Sequence, residues 1–297
     1  RALQAFVHIS TAYVNSDKKH TADIHERMYP LPFDVDDVIE RSGTRPGGRK
    51  ASAAAIEKLT VNAIGTFPNT YTLTKAMTEH LMAREAQRFG VPLLILRPSI
   101  VGASWREPVP GWVDNVSAAG AVFLSNGVGL VKFMPGNSRG LADIVPVDTV
   151  AHHTLLALRH MALRSPSRRS DEAAPPIMHC CTSTSANPLP WRVVIKEVVG
   201  YWHRHPPQEY VSKPDGTFQM MTSHQNFQLQ WWLRYTAPSS IYSTFANVLG
   251  SEKHVAQAAR LKRFVERAGH VVTLFKPFTE NSWRFYTDSH VTLLTDA

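Results

Sequence analysis

The sequence holds 297 residues, with 32 Lys and Arg against 24 Asp and Glu, a formal net charge of +8 and a pI near 9.6. That length supports one large α/β core beside a smaller domain, and the dispersed cations lack the interleaved aromatics of a single-stranded nucleic-acid groove, which excludes that partner class. Cys180 and Cys181 are adjacent and cannot staple distant loops, which fits small buried residues in a reducing compartment.

Phe6-Val7-His8-Ile9 reads as a strand that ends in two hydroxyls, Ser10 and Thr11. Residues 16–67 form an excursion too long for a bare loop, so a helical flap is expected there, including a helical run over 51–64. The spacing predicts a helix over 69–89, stopped by Gly90. Tyr71 and Lys75 lie four residues apart at its start and therefore share a face. A phenol is a weak acid near neutrality, with an unperturbed pKa of about 10, and a neighbouring cation stabilises the phenolate it leaves. The pair therefore suits proton donation beside a hydride acceptor.

Residues 91–96 read as a buried parallel strand leading into Arg97-Pro98-Ser99-Ile100. The Gly-, Pro- and Trp-rich stretch that follows offers Trp105, Gly111 and Trp112 as substrate contacts. Asp148 opens a helix through His160, whose His152 and His153 read as packing or surface residues, and no metal site is expected. Residues 164–176 have the composition of a linker, 177–182 read as a strand, and 192–202 as a helix. From Gln225 onward a helical, aromatic-rich zone begins. It reads first as core or lid and second as an interfacial patch touching lipid. Arg234 and Pro238 interrupt it well short of the ~20 apolar residues of a membrane span.

In chain order these are the parts of an open α/β site, whose ligands lie outside the carboxyl ends of the strands. The expected fold is a partial Rossmann-like, doubly wound parallel sheet over residues 1–204 with a C-terminal helical domain over 205–297. No G-x-x-G-x-x-G turn stands between a strand and a helix to receive a pyrophosphate. The expectation is that the N-terminal strands and their glycine turn are missing from this sequence.

Six segments carry a resemblance: HISTAYVN (8–15), PNTYTLTKAMTE (68–79), LRPSIVGASWREPVPGWVDN (96–115), LADIVPVDTV (141–150), CTSTSANPLPW (181–191) and FTENSWRFYTDSH (278–290). In that order they are similar to the alcohol-forming fatty acyl-CoA reductases, within the extended short-chain dehydrogenase/reductases. The resemblance implies reduction of a long-chain acyl-CoA to a fatty alcohol with NADPH. It implies Tyr71 as general acid, Lys75 as its electrostatic partner and ribose ligand, and Thr11 rather than Ser10 as second donor to the oxyanion. Pro98, Ser99 and Ile100 would line the nicotinamide, with Arg97 in a structural role. It further implies an intracellular, membrane-associated enzyme of the peroxisomal or endoplasmic reticulum membrane, with peripheral lipid contact. Two alternatives stand beside it: another extended short-chain reductase or epimerase, and a non-catalytic membrane-associated protein that keeps the fold.

Overall fold

The computed structural model describes residues 3–19, 21–42, 52, 65, 67–116, 118–163, 174–212 and 216–289. In chain order it runs β1 (Phe6–Ile9), a 3₁₀ turn (Ala12–Asn15), β2 (Asp23–Ile24), α1 (Val35–Ser42) and α2 (Thr70–Phe89). Then come β3 (Leu93–Pro98), β4 (Ile100–Gly102), α3 (Ala118–Gly127), β5 (Phe133–Pro135), β6 (Ile144–Pro146), α4 (Val147–Leu163) and β7 (Ile177–Cys180). The remainder is α5 (Trp191–Arg204), β8 (Gln219–Met221), α6 (His224–Trp231), a π-helical turn (Trp232–Thr236), α7 (Ala237–Leu249), α8 (Glu252–Glu280) and β9 (Arg284–Phe285). The helical run expected over 51–64 and most of the linker expected over 164–176 lie outside the described residues.

The chain divides into two compact units. The first holds Arg1–Val113, Asp143–Pro188 and Trp283–Ala297, the second Asp114–Ala142 and Leu189–Ser282. The single cut expected at 204/205 does not coincide with this division, because the chain crosses between units more than once. In the first unit β9 returns from the far end of the sequence to pair in parallel with β2. In the second, β5 pairs in parallel with β8.

The first unit is α/β with an open parallel sheet, as expected of a Rossmann-like fold. Among the described residues the sheet has the order β1-β3-β7, with Ile9 opposite Leu96 and Pro98 opposite Cys180. All six residues of β3 are buried. Successive strand side chains point to opposite faces, and the run Leu-Leu-Ile-Leu feeds both. Leu93 and Ile95 pack with Ala86 and Met82 of α2, whereas Leu94 and Leu96 pack with Ala157 and Met161 of α4. Each such side chain contributes roughly 1.5–3 kcal/mol by leaving water. Helices therefore cover both faces, and a continuous apolar run rather than an alternating one is what such a strand requires.

In the second unit Phe133 is buried and ringed by Phe227, Trp231 and Tyr235 at 5.8, 6.1 and 5.6 Å. Trp191 is buried edge-on to Phe275, its Nε1 donating to Phe278 O at 3.2 Å. The core-or-lid expectation for the aromatic zone holds for this one face. Leu229, Trp232, Leu233, Ile241, Phe245 and Val248 are exposed instead. A helix offers only part of its circumference to a neighbour, and the apolar residues here occupy more than that part.

Candidate active site

Helix α2 starts where it does because Asn69 caps it: Asn69 Oδ1 accepts from Thr72 N at 2.9 Å. It ends at Gly90, whose φ of +65° is the left-handed cap an L side chain resists. Tyr71 and Lys75 thus fall on its first two turns. Lys75 Nζ donates to Ile9 O at 3.0 Å, which ties the helix to the carboxyl end of β1. An ammonium carries three donors, and this bond takes one. Tyr71 is 51% exposed, so its phenol meets solvent.

The two hydroxyls beyond β1 are buried, each 4% exposed. Thr11 Oγ1 accepts from Tyr13 N at 3.4 Å and caps the 3₁₀ turn. That bond uses a lone pair and leaves the hydroxyl hydrogen to donate elsewhere. Ser10 Oγ and Asn15 Nδ2 are buried and have no partner among the described residues. Ser10 N donates to Leu96 O at 2.7 Å, so β1 and β3 still run side by side where these groups emerge. Pro98, Ser99 and Ile100 lie at the same end of β3, and Ser99 N–H bonds Cys180 O at 3.1 Å. The structure therefore ties Lys75, on the helix whose first turn carries Tyr71, to the strand ends where Ser10, Thr11 and Pro98–Ile100 lie.

Arg97 is 1% exposed and makes a two-pronged pair with Glu79 of α2, at 2.9 and 2.6 Å, while Nη1 donates to Arg27 O. Its structural role under the site matches expectation. Nothing in the sequence singles out Glu79 as its partner, although Glu79 stands at i+4 from Lys75 on the same helix.

Trp105, Gly111 and Trp112 belong to a loop after β4 that is exposed to solvent. Among the described contacts none joins them to Tyr71 or Lys75. What fixes the loop is Asp148, at the start of α4, which accepts from Trp105, Arg106 and Glu107 N–H at 2.9, 2.8 and 3.1 Å. Those bonds, that of Trp105 first, hold its carboxyl well below the usual carboxylate range. The sequence marks Asp148 only as a helix start; nothing in it shows three amides converging from 41–43 residues away. Burial pushes the Cys180 thiol up to about 12, which removes it from nucleophilic chemistry.

Residues 1–154 match the family described as male sterility protein. The chain belongs to that family. Among proteins similar to this member, fatty acyl-CoA reductase 1 of Xenopus laevis is 30% identical over 283 residues, covering 95% of this chain and 50% of that protein. Fatty acyl-CoA reductase 1 of Mus musculus is 30% identical over 97% of this chain and 51% of its own length. Fatty acyl-CoA reductase 2 of Homo sapiens is 29% identical over 99% and 52%. The chain thus spans about half the length of these relatives. Among solved structures, the terminal R domain from the myxalamid PKS-NRPS biosynthetic pathway is similar at 14% identity and a TM-score of 0.49, over 98% of this chain and 52% of that one. That likeness is too distant to carry an argument.

Proposed function

We propose that this chain carries the catalytic residues of an alcohol-forming, NADPH-dependent reductase of long-chain acyl-CoA. The observation that supports it best is the Lys75–Ile9 bond, which ties the helix bearing Tyr71 and Lys75 to the strand end that Ser10 and Thr11 follow. The names of the relatives at 29–30% identity support the acyl-CoA substrate.

The unpartnered Ser10 Oγ and Asn15 Nδ2 fit the polar edge of a nicotinamide and its ribose. Lys75 would hold the ribose, and Pro98, Ser99 and Ile100 would line the ring. No glycine turn of this sequence fits the pyrophosphate. When bound, the dinucleotide supplies hydride. As the thioester carbonyl becomes tetrahedral, charge gathers on its oxygen; Tyr71 gives that oxygen a proton, and Thr11 or Ser10 donates a hydrogen bond to it. Collapse breaks the C–S bond, the hydroxyl proton leaves with the coenzyme A thiol, and an aldehyde remains. A second reduction, for which a second reduced dinucleotide would supply the hydride and Tyr71 a second proton, gives the alcohol. Because the phenol is half exposed, water can reprotonate it between steps. Lys75 stabilises the phenolate in the interval.

The test is Tyr71→Phe in the full-length protein, with alcohol formed from a C16 acyl-CoA measured by gas chromatography. The variant should keep the parent's melting temperature and lose alcohol formation. Parental turnover by the variant would remove Tyr71 from the chemistry.

A further inference from the structure

In the second unit, α7 and α8 form a hairpin across Gly250 and Ser251. Tyr242 Oη bonds Gln257 Oε1 at 3.0 Å, and a Cβ built on Gly269 would lie 3.6 Å from the Trp231 ring, so the helices run antiparallel. On the outer side of α7, Ile241, Phe245 and Val248 are 69%, 60% and 79% exposed, with Leu249 beside them. The stripe continues backward through Leu233 and Trp232, also exposed. No Asp, Glu, Lys or Arg stands between Arg234 and Glu252. Isolated exposed apolar residues need no explanation, but a continuous uncharged stripe along one helix does.

Charge identifies what covers it. Phe245 and Leu249 stand at i+3 and i+7 from Tyr242, so they flank the groove that the Tyr242–Gln257 bond spans. Across that groove Lys253, Arg260 and Arg267 stand at i−4, i+3 and i+10 from Gln257, one row along the same edge of α8, and all three are exposed. An apolar stripe beside a parallel row of cations is the pattern of a helix lying in the headgroup region of an anionic bilayer. A second copy would set the same row of cations against itself or against another neutral stripe, which the charges do not favour. Among the described residues no helix is long and apolar enough to cross a membrane, so the fit is to the surface.

We propose that the outer face of the α7–α8 hairpin docks on anionic lipid, with Ile241, Phe245 and Val248 among the acyl-chain ends and Lys253, Arg260 and Arg267 at the phosphates. The test uses the full-length protein with an environment-sensitive fluorophore on Phe245→Cys, and vesicles of phosphatidylcholine with or without about 30% phosphatidylserine as the anionic surface. The label should shift to the blue on anionic vesicles, while the same label on Leu155→Cys, exposed in the first unit, should not. Replacing Lys253, Arg260 and Arg267 by Ala should weaken the response on the order of 100-fold; these are surface positions, and circular dichroism checks the fold. A label already blue-shifted before vesicles are added would mean that another segment or a second copy covers the face, which overturns the proposal. So would an unshifted label, or a shift indifferent to the three cations.

Discussion

Glu79 carries more of the site than its place in the motif suggests. It and Arg97 are both almost wholly buried, and their two-pronged bond pins the helix bearing Tyr71 and Lys75 to the central strand. Removing one partner of a buried pair leaves the other charge without compensation, at a cost of about 3–5 kcal/mol. Glu79→Gln keeps the volume and should lower unfolding stability by that amount in urea titration; a loss under about 1 kcal/mol would show that Arg97 is satisfied by Arg27 O alone. His8 gives the site a pH dependence. Its ring is partly buried on β1 with Nε2 unpartnered among the described residues, and burial first, then the Lys75 charge, depress its pKa against an opposing pull from Glu79. A depressed histidine favours the fold while neutral, so its contribution is complete above the unfolded pKa of about 6.5 and is lost as pH falls toward the lower folded value. His8→Gln should therefore flatten the fall in melting temperature as pH drops below about 6.5, and leave the value near pH 7.5 little changed. An unaltered acid limb would assign the fall to other groups.

At the scale of elements, the sequence was most legible where one physical rule dominates. The apolar run 91–96 and the Gly90 stop announced β3 and α2, and these two elements position the candidate site; Asn69, read as the first residue of the helix, proves to be its cap. The cap lends itself to measurement. Asn69→Ala removes the acceptor for Thr72 N–H, a loss of about 0.5–2 kcal/mol, and frays the turn that carries Tyr71. Amide exchange at Thr72 should quicken, activity should fall more than global stability does, and Asn69→Asp should restore both. Unchanged exchange at Thr72 would mean that packing alone sets the helix start. What the sequence could not show are partners brought together by topology. Glu79 and Arg97 lie 18 residues apart, Asp148 meets amides 41–43 residues away, and β9 meets β2 across most of the chain. The aromatic zone misled for a related reason: composition marks α6 and α7 as apolar, but only packing decides which side of each faces Phe133.

The whole molecule raises the question of where the dinucleotide's phosphates rest. In the proposed function Tyr71, Lys75 and the strand ends address a nicotinamide and its ribose, yet affinity for such a cofactor comes largely from a pyrophosphate seated on a glycine-rich helix N-terminus. Among the described residues, Gly90 ends a helix, Gly102 packs against Ile144, and Gly127 and Gly129 lie against Trp202 and Ser212. No glycine stands between β1 and the 3₁₀ turn that follows it, and β1 is an edge of the described sheet with Phe6 and Ile9 partly open to solvent. Residues 1–297 expressed alone should therefore show no saturable NADPH binding. Circular dichroism must first establish that the isolated segment is folded, and titration followed by nucleotide fluorescence then decides. A folded segment that bound NADPH in the micromolar range would contain a phosphate site built without a glycine turn. The assignment of these residues to the nicotinamide end alone would then be wrong, with Tyr71 and Lys75 still in place.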